Sequence, residues 1–98
     1  MWILGFDWDE TNRRKLRLHG LDEGSIEDVF DTGDPYFIQR RSQPGRYVAL
    51  GFASEGRFVL VVFEYAEETR WIRVVTAYEP TDSSWWKKYA KAKGLDAP

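Results

Sequence analysis

The chain reads as one α+β domain in the order β-α-α-β-β-β-β-α, an antiparallel twisted sheet with helices packed on one face. Three observations carry that reading. Apolar residues follow helical spacing before Tyr36 and strand-like spacing after it. Aspartates and glycines stand where helices begin and end. Glycine-bearing separators then divide the second half into runs of strand length. With 98 residues the chain has enough material for a single core, so residues 1–98 are taken as one domain.

Positions 2 to 7 are apolar and aromatic enough for a first strand. Asp9 is placed to cap a helix running to Gly20, which sets His19 at its carboxyl end. Asp22 can cap a second helix, whose Ile26, Val29 and Phe30 share one face at i, i+3, i+4, with Gly33 as a left-handed stop before Pro35. Four strands are expected near 36 to 41, 46 to 53, 57 to 65 and 70 to 78. Gln43-Pro44-Gly45, Ser54-Glu55-Gly56 and Ala66-Glu67-Glu68 separate them. Phe58 to Phe63 is apolar throughout, which predicts a central strand covered on both faces, and Tyr36 to Arg41 reads as an edge. Glu79-Pro80-Thr81-Asp82 closes the sheet and caps a last helix bearing Trp85, Trp86 and Tyr89.

Composition narrows the chemistry. Without cysteine there is no disulfide framework, thiol nucleophile or cysteine zinc site, and with His19 as the one histidine a metal would depend on carboxylates. Metal-free chemistry, or none, is therefore expected, with no cofactor. No phosphate-binding glycine loop, serine elbow, His-Glu zinc pair or EF-hand spacing occurs. The amino terminus lacks a basic region ahead of a long apolar run, and no eighteen apolar residues are consecutive, so the expectation is a cytoplasmic protein with no membrane contact. Fourteen basic against sixteen acidic residues is a poor total for holding RNA, but the charges are segregated. Arg13, Arg14, Lys15 and Arg17 crowd one segment, and Lys87, Lys88, Lys91 and Lys93 another. Asp22, Glu23, Glu27, Asp28, Asp31 and Asp34 lie between with no base among them. Such patches can steer an anion to one face, and a solvated surface gives the same pattern.

Two groups of residues carry a resemblance. Trp8-Asp9-Glu10 is followed at helical distance by His19-Gly20-Leu21. The block Gly45 to Gly51 leads through Arg57 to Phe63 and on to Ile72-Arg73-Val74-Val75-Thr76-Ala77-Tyr78. Together, over roughly positions 6 to 89, they resemble BrnT-type toxins of bacterial type II toxin-antitoxin systems. The resemblance implies a RelE-like ribonuclease fold, metal-independent cleavage of mRNA, and neutralisation by a BrnA-like ribbon-helix-helix antitoxin. DNA would be contacted only through that antitoxin. The chain departs from the family at Thr76-Ala77-Tyr78, where such proteins commonly end the strand with arginine, and at Pro80 to Trp86, where they carry a charged stretch. Lys87-Lys88-Tyr89 restores the basic-basic-tyrosine ending.

Cleaving RNA without metal requires a base for the 2′-hydroxyl, cations for the pentacoordinate phosphate and an acid for the departing 5′-oxygen. Arg73, a guanidinium inside an apolar strand, must reach a sheet rim or find a carboxylate, and is the leading candidate for the phosphate clamp. Arg46 follows from similar logic, its alternative being a solvated turn charge. His19 could act as a general acid or base, or simply ends its helix. Tyr78 could supply a phenol or stack on a base, or belong to the core. Arg40, Arg41, Arg57, Lys87 and Lys88 are the expected RNA-binding cations. Trp85 and Trp86 point about 100° apart on a helix, so one of them is expected at a boundary, where it could anchor an antitoxin or a second copy of the chain. The alternatives to a nuclease are a catalytically inactive BrnT-like binding module and a stand-alone protein that dimerises through the tryptophan helix.

Overall fold

The computed structural model describes residues 2–95. Its elements are β1 (Gly5–Phe6), α1 (Glu10–Leu18), α2 (Glu23–Asp31), β2 (Tyr36–Gln39), β3 (Arg46–Phe52), β4 (Phe58–Ala66), β5 (Trp71–Tyr78) and α3 (Ser83–Ala92). This is the expected α+β order. The sheet runs β1-β5-β4-β3-β2, antiparallel throughout except that β1 lies parallel to β5. As expected, β4 is central and β2 is an edge.

The local signals act where the sequence placed them. Asp9, Asp22 and Asp82 are the N-caps, each carboxylate accepting a backbone N–H, from Asn12, Ser25 and Ser84 respectively. His19 is the C-cap of α1, and Gly20 follows at φ +69. The Leu21 N–H returns to the Leu16 carbonyl at 2.9 Å, a Schellman closure that also brings two buried leucines together. Two local expectations differ. The first strand contracts to Gly5–Phe6. After α2 the left-handed residue is Asp34, at φ 49, rather than Gly33. Gly33 is needed for space: a Cβ there would lie 2.2 Å from the Phe52 carbonyl oxygen.

Strand alternation divides the core in two. Val59, Val61 and Phe63 of β4 face α1 and α2, packing with Leu16, Leu21, Ile26, Val29, Ala49, Ile72, Val74 and Ala77. Leu60 faces the opposite side with Val48, Leu50 and Tyr89, flanked by Phe58 and Val62. A strand between two such layers has no solvent face, which explains its unbroken apolar run. The helices are therefore not all on one face, as expected from the sequence; α3 lies alone on the second, drawn there by the apolar even-numbered residues of β3 and β4. A register shift at Val62/Phe63 makes Thr76 and Val74 their successive partners on β5 and leaves Val75 unpaired. This bulge lets Ala77 as well as Ile72 and Val74 reach the first layer.

Candidate functional site

The α3 face of the sheet is only partly covered. Trp86 and Tyr89 enclose Phe52 and Phe58 in edge-to-face contacts near one end of β3 and β4. Near the other end the same face bears Arg46, Glu64 and Arg73, paired across three neighbouring strands in the order Arg46, Glu64, Arg73. Arg46 Nη2 donates to Glu64 Oε2 at 3.0 Å. Arg73 turns toward the sheet rim, because β1 ends at Phe6 and leaves β5 outermost there. Its Nη1 lies 2.6 Å from Asp9 Oδ2 and 4.0 Å from Asp7 Oδ2. The arginine thus meets both the rim and the carboxylate that the sequence argument posed as alternatives.

The row is open to solvent, with side-chain exposures of 29% for Arg46, 49% for Glu64 and 42% for Arg73. A groove of about 340 Å³ runs beside it, lined by Asp7, Glu64 and Arg73 together with Gly45, Tyr65 and Trp71. The Asn12 N–H, and after it the Arg73 guanidinium, hold the Asp9 carboxyl below its ordinary pKa. Reciprocally, the Asp9 hydrogen bond raises Arg73 above an already high value. Both groups remain charged, and an anion approaching Arg73 must compete with Asp9.

The sequence matches no protein-family model and no curated protein. The site therefore stands on its own geometry.

His19 and Tyr78 are brought together, ring centroids 5.9 Å apart, but away from the row. Tyr78 pairs with Leu60 whereas Arg73 pairs with Glu64. That register places them roughly 13 Å apart along the strands. Arg57 belongs to the His19 end, where it is ion-paired to Glu79 and donates to the Gly20 carbonyl at 3.1 Å. The four expected catalytic residues thus form two clusters, Arg46 with Arg73 and His19 with Tyr78.

The remaining candidates are dispersed. Arg40 and Arg41 are exposed beyond the end of β2 and make no ion pair among the described residues. Lys87 and Lys88 are exposed on α3, with the Lys88 ammonium 5.4 Å over the Trp85 ring. Trp85 is half-buried, and Trp86 is 43% exposed while still packed on Phe58. In the basic segment of α1, Arg13 pairs with Glu23 and Arg17 with Glu10, which neutralises half of that patch. Among the described residues no group of three or more metal-ligating side chains comes together, and no helix is long and apolar enough to cross a membrane. Sequence reasoning missed Glu64, Asp7 and Asp9 as site residues. Glu64 could have been found only from register, since its place between two arginines depends on which residues of β3 and β5 pair with it.

Proposed function

We propose that this protein is a BrnT-type toxin: a metal-independent endoribonuclease that cleaves mRNA and is neutralised by a ribbon-helix-helix antitoxin, with DNA contacted only through that partner. The observation that supports the reading is the open row of Arg46, Glu64 and Arg73, in which the Glu64 carboxylate is bonded to the Arg46 guanidinium and stands across the ladder from Arg73 on a solvent-facing part of the sheet. Glu64 takes the proton of the 2′-hydroxyl. Arg46 and Arg73 hold the non-bridging oxygens of the pentacoordinate phosphate, where their charge is worth more than in the ground state. The products are a 2′,3′-cyclic phosphate and a 5′-hydroxyl end. The departing oxygen takes its proton from solvent or from the newly protonated Glu64, because His19 and Tyr78 stand at the neighbouring cluster.

Two observations favour a second reading, a binding module that keeps the fold and the antitoxin-docking role without turnover. Asp7, Asp9 and Glu64 surround Arg73, so its charge is already answered, and Tyr78 occupies the position where BrnT-like chains commonly have another cation. The two readings separate on inducing the chain alone in a bacterial host and mapping new RNA 5′ ends within minutes. For the nuclease, new ends form with the parent, fall about 100-fold or more with Arg73→Ala or Glu64→Gln, and fall far less with His19→Ala. Unchanged RNA with folded parent protein would reject the nuclease and favour the binding module instead. Equal cleavage by Glu64→Gln and parent would remove Glu64 from the mechanism.

A further inference from the structure

On the opposite side of the sheet from the arginine row, the segment leading into β1 and the outer face of α2 enclose a groove of about 590 Å³. Trp2, Ile3, Phe6 and Phe30 make its apolar surface, and Glu27 and Asp31 line it as carboxylates. Phe6 and Phe30 meet edge to face at 5.4 Å, and Phe30 continues into the core through Phe63, so the floor is continuous with the core. The acids are incompletely used. Glu27 Oε2 accepts from the Trp8 indole N–H at 3.0 Å, leaving Oε1 available, and Asp31 makes no ion pair among the described residues. No lysine or arginine lies anywhere on α2.

Trp2 is the wall of this groove, and at 69% exposed it is among the least covered large apolar residues described. Its backbone is nevertheless tethered, since the Tyr65 hydroxyl donates to the Trp2 carbonyl at 2.6 Å. The Arg70 guanidinium sits 5.2 Å over its ring, so the indole already serves as a platform for a cation. An apolar trough with aromatic walls and carboxylates without a cationic partner selects against phosphate and against a purely aliphatic ligand.

We propose that this groove is a docking site for a polypeptide segment that presents an arginine or lysine beside a bulky aliphatic side chain. The aliphatic group fills the trough between Phe6 and Phe30, and the cation reaches Asp31 and Glu27 while lying against Trp2. Indole anchors of this kind dominate interface energetics. The site is independent of the arginine row and of any RNA chemistry.

The test titrates the whole isotope-labelled chain with a short synthetic peptide in which arginine alternates with leucine. Two further peptides replace every arginine by glutamate or every leucine by serine. Binding of the arginine-leucine peptide is expected to shift the Trp2 indole resonance and leave those of Trp85 and Trp86 in place. Trp2→Ala is expected to weaken it about tenfold, and Asp31→Asn several-fold, both at exposed positions where folding is unaffected. The glutamate peptide should not bind, and the arginine-serine peptide should bind far more weakly. Failure of the arginine-leucine peptide to bind would overturn the proposal, as would equal binding of the serine peptide or full affinity in Trp2→Ala. A Trp2 shift that follows protein concentration without peptide would assign the groove to a second copy of the chain and overturn it equally.

Discussion

Asn12 is 2% exposed and has its polar groups answered within a single turn of chain. Its Oδ1 accepts the Asp9 N–H at 2.8 Å, its Nδ2 donates to the Asp7 carbonyl at 3.0 Å, and its own N–H donates to Asp9 Oδ1 at 2.9 Å. The first and last of these form a reciprocal capping box, with asparagine in the place glutamate or glutamine usually holds. The second ties down Asp7, so one side chain orients both aspartates that face Arg73. Replacing it by leucine keeps the volume but leaves the Asp9 N–H and the Asp7 carbonyl without partners. Asn12→Leu is therefore expected to lower unfolding stability by about 2 kcal/mol, measured from the shift in urea midpoint at unchanged slope. A change of less than a few tenths would mean that water replaces both bonds without loss.

At the scale of elements, the junction between α2 and β3 is the most constrained. Besides the Phe52 carbonyl, a Cβ on Gly33 would come within 2.8 Å of Val29 Cα, and both are backbone atoms that no rotamer change can move. The Phe52 N–H also donates to the Gly33 carbonyl at 3.1 Å, joining helix end to strand end. Gly33→Ala is expected to destabilise by about 3 kcal/mol or to yield insoluble protein, and a variant with parental melting temperature would show that α2 can shift without cost.

The helix starts predict a pH dependence. Asp9, Asp22 and Asp82 are each held below the ordinary aspartate value, first by the backbone N–H groups they cap, with Arg73 adding to the effect at Asp9 and a serine hydroxyl at the other two. A carboxyl whose pKa is depressed by folding contributes stability above its unfolded value, about 3.9, and loses it as pH falls through the lowered folded value. Denaturation midpoints should therefore decline as pH falls below about 4. Asp82→Asn keeps an effective cap while removing one titrating group, so it should reduce that acid slope. A slope equal to the parent's would place the acid sensitivity elsewhere.

For the whole molecule, the sheet separates chemistries by face and by end. One face is filled by α1 and α2; the other carries α3 near one end and the Arg46, Glu64, Arg73 row near the other. Crossing strands convert distant sequence positions into neighbours across the ladder, and convert neighbours within one strand into positions several ångströms apart. Arg73 and Tyr78 belong to the same strand yet serve different clusters, whereas Arg46 and Arg73 flank one glutamate. The RNA-cleavage comparison of Glu64→Gln with His19→Ala consequently reads the architecture as well as the chemistry, since it asks which end of the sheet acts.

Local interactions made much of this legible in advance. The aspartate caps, Gly20 stop, hairpin separators and doubly buried Phe58 to Phe63 run depend on neighbours within a few residues or on the period of apolar side chains, so they are written along the chain. The parallel pairing of β1, the passage of α3 to the second face, the bulge at Val75 and the gathering of Glu64, Asp7 and Asp9 around the arginines depend on register and layer order. Those follow from how the elements minimise exposed apolar surface together, a quantity that no single segment carries. The sequence by itself determined the order and approximate extent of the helices and strands and which arginine had to seek a partner. Only the tertiary structure decided that the partner is Asp9 and that His19 stands apart, because strand pairing sets distances that spacing along a chain does not contain.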